Sequence, residues 1–340
     1  MKKYLLPKDG KFYKANLHCH TTMSDGEKTP EEIKEMYKDK GYSVVAFTDH
    51  DIFIPHPELC DDEFIALNGF EMQYNEGGIY PAEKDVPSSH FCFIAKSPDI
   101  DLHPNWSYNH AYIGNSKKHR DYVKFDPSGA TDIRNRNPET VNDSIKKCVD
   151  ANFFVTYNHP DWSLDNYETY TKYSGMHAME IYNNDCAVIG YDAYVPGIYD
   201  DMLRSGKRIF AVAADDNHNI FPVDGPRNDS FGGFVMIKAN DFKYESITDS
   251  LFTGDFYASQ GPEIYDLYIE DNKICVHSSD AVVITLNTGR RSAKTMYADF
   301  GKSINYAEFE FSPEDVYLRI TVKSKDNRFA NTRAYFISEI

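Results

Sequence analysis

Residues 43–51 read SVVAFTDHD, an uncharged and mostly apolar run that ends in Thr48-Asp49-His50-Asp51. A continuous run of this kind suits a strand covered on both faces. The polar cluster at its carboxyl end falls where parallel barrels gather their chemistry. The arrangement recurs along the chain. Tyr13–Leu17 reads as a strand and is followed by His18-Cys19-His20 and Ser24-Asp25-Gly26. Phe64–Leu67 leads into Gly69-Phe70-Glu71, and Phe91–Ile94 is preceded by His90. Phe153–Thr156 leads into Asn158-His159-Pro160, and Arg208–Ala213 into Asp215-Asp216-Asn217-His218. A further strand is expected at Ala178–Tyr182.

Helical stretches separate these strands. Thr29-Pro30-Glu31-Glu32 opens one, with Thr29 as N-cap, Pro30 in the first turn and Glu32 completing a capping box. Gly41 ends it. Others are expected near 138–150 and near 243–253, the last ending at Gly254. Six or seven βα units in one series predict a parallel barrel rather than an open sheet. Residues 97–135 interrupt the series with no visible period. Two readings fit them, a lid over one end of the fold or a solvated loop without a role.

The pattern changes near residue 263. Val316, Leu318, Ile320 and Val322 alternate with Tyr317, Arg319, Thr321 and Lys323, a period of two with one wet face. Asp266–Ile269, Val282–Leu286, Ala307–Phe311 and Ala334–Ile337 look similar. The expected organisation is therefore an α/β barrel over 1–262 and a small antiparallel β domain over 263–340.

Of the 340 residues, 41% are apolar and 26% charged, with a formal net charge of −17. So acidic a surface disfavours long nucleic acid and membrane surfaces as partners. A small anionic substrate stays compatible, because bound divalent cations would reverse the local field. The six cysteines form no CxxC pair and read as reduced thiols. The N-terminus carries no signal-peptide pattern, and no apolar window is long enough for a membrane span, so a cytoplasmic protein is expected.

His18 and His20 are two apart, so an extended segment puts both imidazoles on one face and Cys19 on the other. Asp216 and His218 repeat that spacing. Neutral imidazoles beside carboxylates suit divalent cations, and carboxylates are the usual bridges between adjacent ions. His56, His103, His110, His119, His177 and His277 read as surface or packing residues. Asp215 adjoins Asp216, and a register slip of one would exchange their roles; the DxH spacing favours Asp216.

HxHxxxSDG at 18–26, TDHD at 48–51, Glu71, His90, NHP at 158–160 and DNH at 216–218 resemble the polymerase-and-histidinol-phosphatase (PHP) metallohydrolase family, in its order, over residues 12–262. Gly254–Pro262, GDFYASQGP, resembles a stretch of a stand-alone branch with a C-terminal β domain. The resemblance implies a distorted (β/α)7 barrel holding two or three divalent ions, usually zinc, manganese or iron. His18, His20, Glu71 and Asp216 would hold the first. Glu71 would bridge to a second, completed by His90 and His159. Asp25, His50 and His218 would hold a third, and the acidic oxygen of Asp25, where many relatives carry His, favours a harder metal such as manganese. Asp49 would either orient His50 or cap a turn. Arg227 would either clamp a phosphate or stand as an exposed charge. Asp25, Glu71, Asp216 and Arg227 are thus the candidate catalytic groups.

The expected activity is a metal-dependent phosphoesterase that hydrolyses a small phosphate ester or nucleotide through a metal-bridging hydroxide. The alternative keeps the site and moves the attack to a carbamate, amide or ester carbonyl. A third reading, a non-catalytic binding module, conflicts with so complete a ligand set.

Overall fold

The computed structural model describes residues 2–78, 86–130 and 132–340. Its first part comprises β1 (Lys3–Tyr4), β2 (Lys11–Asn16), α1 (Pro30–Asp39), β3 (Val44–Phe47), β4 (Ile65–Asn75), β5 (Ser88–Ala95) and α2 (Ser116–His119). The chain continues through α3 (Pro138–Asp150), β6 (Phe153–Tyr157), α4 (Tyr167–Tyr170), β7 (Ala178–Asn183), α5 (Asn184–Ile189), α6 (Pro196–Arg204), β8 (Phe210–Ala214), β9 (Phe234–Ala239) and α7 (Tyr244–Thr253). Nine strands follow among the described residues: β10 (Phe256–Ser259), β11 (Ile264–Glu270), β12 (Lys273–Ala281), β13 (Val283–Thr288), β14 (Lys294–Tyr297), β15 (Ile304–Glu310), β16 (Tyr317–Lys323), and then β17 (Phe329–Thr332) and β18 (Tyr335–Phe336).

The fold is mixed α/β, with one large sheet and few helices. That 14-stranded sheet runs β14-β13-β16-β17-β10-β9-β2-β3-β4-β5-β6-β7-β8, with β18 beside β16. β2, β3 and β4 are parallel neighbours, as are β6, β7 and β8. β5 runs against both β4 and β6. The expected closed series of parallel βα units is corrected here in two respects. The connection from β4 to β5 contains no α-helix among its described residues, only a 3-10 turn at Glu76–Gly78, and without a crossover the returning strand is antiparallel. The sheet also does not close. Among the described residues the segment after β8, its last strand, meets the segment after β2 through one parallel bridge, Cys19 with Asn217, beside the hydrogen bonds Asp216 N to His18 O and His20 N to Asn217 O.

Local sequence rules account for the frame. α1 carries the Thr29/Glu32 capping box with Pro30 leading, and Gly41 follows it at φ +76°. β3, β4, β5 and β6 are buried along their whole length, as apolar runs require. Inside the strand series Val44, Leu67, Ile94, Phe154 and Val212 meet Ile247 and Leu251 of α7. Tyr244 and Thr248 of α7 donate to the carbonyls of Ala95 and Lys96. α7 therefore lies at the carboxyl end of the reversed strand β5. β5 begins at Ser88, on the rim where β4 and β6 end, and carries His90 as its third residue rather than before the strand.

The described residues of 97–135 pack as a wall. Trp106, Ala111 and Val123 form a buried cluster with Ile52, and Arg134 pairs with Asp51. Asn115 N and Nδ2 donate to the carbonyls of Ser24 and Thr22, and Ser116 Oγ donates to His50 O.

In the C-terminal part β11, β12 and β15 pack against β13, β16 and β17 through Leu267, Val276, Ala307, Leu286, Ile320 and Val322. β1 joins this region by pairing with β11, and β10 pairs with β17, so hydrogen bonding is continuous across residue 262. The expected wet face of β16 is corrected. Tyr317 and Arg319 are buried, and Arg319 holds Asp200 of α6 through two hydrogen bonds of 2.9 and 3.0 Å. The alternation also begins later than expected, because Val316 sits outside the strand at φ +67° and is exposed. No helix among the described residues is long and apolar enough to cross a membrane. All six cysteines are free thiols.

Candidate metal centre

His18 and His20 follow β2 in an extended segment, and their Nε2 atoms lie 3.1 Å apart. Cys19 points the other way, into the cluster of Ile33, Tyr37 and Val45. Glu71 lies inside β4 rather than after it, because the strand runs on to Asn75. The Thr48–Asp51 segment pairs with it, through a parallel bridge between His50 and Glu71. His159 and Asp216 adopt positive φ, +25° and +55°. Left-handed backbone at non-glycine residues is costly and concentrates at functional sites.

The donor atoms converge. Asp216 Oδ1 is 3.0 Å from both His18 Nε2 and His20 Nε2. Glu71 Oε1 lies 3.2 Å from His18 Nε2, 3.2 Å from His90 Nδ1 and 3.5 Å from His159 Nε2. Glu71 Oε2 lies 3.2 Å from His50 Nδ1 and 3.5 Å from His20 Nε2. Asp25 Oδ2 is 3.6 Å from His50 Nε2 and 3.7 Å from His218 Nε2. Ligands bonded to one small cation at about 2.0–2.2 Å are themselves roughly 3.0–3.5 Å apart. Among the described residues five groups of donor atoms lie within 4.8 Å of one another: His20/Asp25/His50/His218, His18/His159/Asp216, His18/Glu71/Cys92, His50/Glu71/His90 and Asp185/His218/Asp229. His50 Nδ1 and His90 Nε2 are buried without a hydrogen-bond partner. Orphaned imidazole nitrogens among carboxylates fit a cation that takes their lone pairs.

The electrostatics agree. Burial disfavours a proton on His18, yet Asp216, Glu71 and Glu180 outweigh it and raise its affinity well above the ordinary value. Burial likewise opposes charge on His218, but Asp25, Asp216 and Asp185 push it up to about 9. Asp25 is depressed to about 2, since His50, His218 and His20 overcome its desolvation. Burial and the Asp216 charge push Asp185 up to about 7; cations at Asp216 would relieve the second of these.

Supporting residues are equally placed. Asp49 does not orient His50. It accepts from Thr21 N, Thr21 Oγ1, Ser24 N and Ser24 Oγ, capping the turn that carries His20 and Asp25. Asp215 is withdrawn from the cluster and pins the backbone N–H groups of Phe231, Gly232 and Gly233. Arg227 is exposed, its guanidinium 3.5 Å from the centre of the Phe221 ring. Among the other histidines, His103 stacks on Phe70 and His177 on Phe154.

The sequence reading missed Glu180, Asn183 and Trp162. Glu180 Oε1 holds His18 Nδ1 at 2.8 Å, and Oε2 accepts from His159 N and Asn183 Nδ2. Asn183 also reaches Asp216 Oδ2 at 3.2 Å. The Trp162 ring packs edge-on against His90 and His159. A lone acid inside the otherwise uncharged strand AMEIYN was the available signal for Glu180. The cluster floors a cavity of about 410 Å³.

No protein-family profile and no curated protein matches the chain. Solved structures do align with it. One is a two-domain protein from Bacteroides vulgatus containing a predicted PHP-like metal-dependent phosphoesterase, with 12% identity, 98% of each chain covered and a TM-score of 0.44. This chain is similar to PHP-like proteins. Others are a lesion-specific endonuclease from Pyrococcus furiosus and an amidohydrolase from Chromobacterium violaceum. The endonuclease shares 15% identity over 71% of this chain and 56% of its own, with a TM-score of 0.38. The amidohydrolase shares 15% identity over 60% of this chain and 87% of its own, with a TM-score of 0.34.

Proposed function

We propose that the protein is a metal-dependent hydrolase, and specifically a phosphoesterase acting on a small phosphate ester. The observation that carries this reading is the meeting of six imidazoles and three carboxylates, His18, His20, Asp25, His50, Glu71, His90, His159, Asp216 and His218, at ion-sharing distances, all but His18 and His20 lining one cavity. His18, His20, Glu71 and Asp216 would hold one ion, Glu71 with His90 and His159 a second, and Asp25, His50 and His218 a third. Divalent ions held there supply an acidified water and positive charge at the reacting group. The chain's own part is positional. Glu180 keeps the His18 proton on Nδ1 and so frees Nε2, Asn158 donates to Glu71 Oε1, and Trp162 shields two ligands from water. The strand series β2–β8 acts as a barrel-like rim that brings these groups to one end.

One observation favours the second reading, hydrolysis of a carbamate, amide or ester. No Lys or Arg lines the cavity among the described residues, so a phosphate would meet no positive side chain there. The deciding experiment loads the full chain with manganese or zinc and compares kcat/KM for aryl phosphates with that for aryl esters and carbamates. The phosphoesterase reading expects phosphates to be preferred at least tenfold. The reverse preference selects the carbonyl reading, and inertness toward both refutes hydrolase activity on these classes.

A further inference from the structure

The cavity walls above the metal-ligand residues are uneven in chemistry. Ile113, Trp162, Ile189, Ile220 and Phe221 make them largely apolar. Gln73 and Asp185 are different. The Gln73 side chain lines the cavity from β4 and makes no hydrogen bond among the described residues. Asp185 lines it from the first turn of α5, and its carboxylate accepts no hydrogen bond and closes no ion pair among the described residues. The neighbouring Asp229, by contrast, is consumed by the backbone N–H groups of His218 and Asn219.

A half-buried carboxylate that accepts no hydrogen bond, with only the through-space pull of His218 and His159 on it, loses solvation and gains little until something donates to it. It also repels a second anion in a cavity with no cationic side chain among its described lining residues. Resting on the phosphoesterase reading, we propose that Asp185, assisted by Gln73, reads a hydrogen-bond donor, hydroxyl or ammonium, on the part of the substrate that does not react, and rejects substrates with a second anionic group there. The substrate is then a small monoester whose alcohol portion is neutral or cationic. A site built around buried acceptors discriminates strongly against analogues lacking the donor, because the acceptor is left unpaired.

The test uses four matched esters with the metal-loaded full chain: 3-hydroxypropyl, 3-aminopropyl and propyl phosphate, and propane-1,3-diyl bisphosphate. The expected result is that the hydroxyl or the amino ester exceeds propyl phosphate at least tenfold in kcat/KM, with the bisphosphate poorest. Asp185→Asn should shrink both discriminations at least fivefold at unchanged metal content, and Gln73→Leu should shrink the first. Equal turnover of all four, or discrimination unchanged in Asp185→Asn, overturns the proposal alone. Loss of an ion in Asp185→Asn overturns it by assigning Asp185 to the metals. Inertness toward all four with the ions in place overturns the phosphoesterase reading and this proposal with it.

Discussion

Glu71 divides its two oxygens between two sets of imidazoles, Oε1 toward His18, His90 and His159 and Oε2 toward His20 and His50. A carboxylate so placed would bridge two ions, and removing its neighbours should empty the site rather than unfold the chain. Asp216→Ala and His159→Ala are each expected to lose bound metal by elemental analysis and to lose at least 99% of activity, with an unchanged circular dichroism spectrum. Full activity in either variant would contradict its role as a ligand. Glu180→Gln keeps the size and one acceptor but leaves either His18 Nδ1, or His159 N and Asn183 Nδ2 together, facing an amide. It should weaken metal affinity roughly 10–100-fold by titration calorimetry, the range for lost partners of ligating histidines. At this scale the convergence of the candidate ligands was legible where they come in short motifs, HxH, TDHD, NHP and DxH. Glu180 and Asn183 were not, because each acts through a partner far away in sequence, His18 and Asp216 respectively.

Elements turn those residues toward one another. The sequence reading placed His90 before its strand, which a parallel strand would have carried to the wrong end. The reversal of β5 resolves this, since β5 starts where β4 and β6 finish, with Gln73 paired to His90 and Asn158 N donating to His90 O. Direction is set by the connection between β4 and β5, and apolar patterning does not encode it. Two helix boundaries were legible by contrast, since caps are local chemistry: Thr29 opens α1 and Gly254 ends α7. Thr29→Ala should cost about 1 kcal/mol in urea unfolding without changing metal content. Gly114 tests the wall formed by residues 97–135. A Cβ there would sit 2.1 Å from Ser24 O, at a φ of +52°. Gly114→Ala must displace the Ser24–Asp25 turn. Metal stoichiometry is expected to fall by one ion as Asp25, His50 and His218 lose alignment; unchanged stoichiometry would show that the wall does not position that group.

For the whole molecule, charge couples the cluster to stability. Without cations, His218 and His18 bind protons more tightly in the folded chain than the ordinary imidazole value near 6.5. A raised folded value means stability that is fully present below about pH 6.5 and lost as pH rises through about 9, the value for His218. Chelator-treated protein should therefore melt at lower temperature at pH 9.5 than at pH 6.5, and metal-loaded protein should lose less over the same window, because cations replace the protons. Equal losses in the two forms would contradict the coupling. The mixed α/β organisation and the β-rich C-terminal part were legible from the change of period near residue 263. The covering of Tyr317 and Arg319 was not, because it depends on Asp200 of α6, more than a hundred residues earlier. The most direct measurement is anomalous diffraction at the manganese or zinc edge from crystals grown with that metal. The account predicts at least two peaks within coordination distance of Glu71 and Asp216, one of them shared with His18 and His20. Crystals of the loaded protein with no peak among these residues would contradict it.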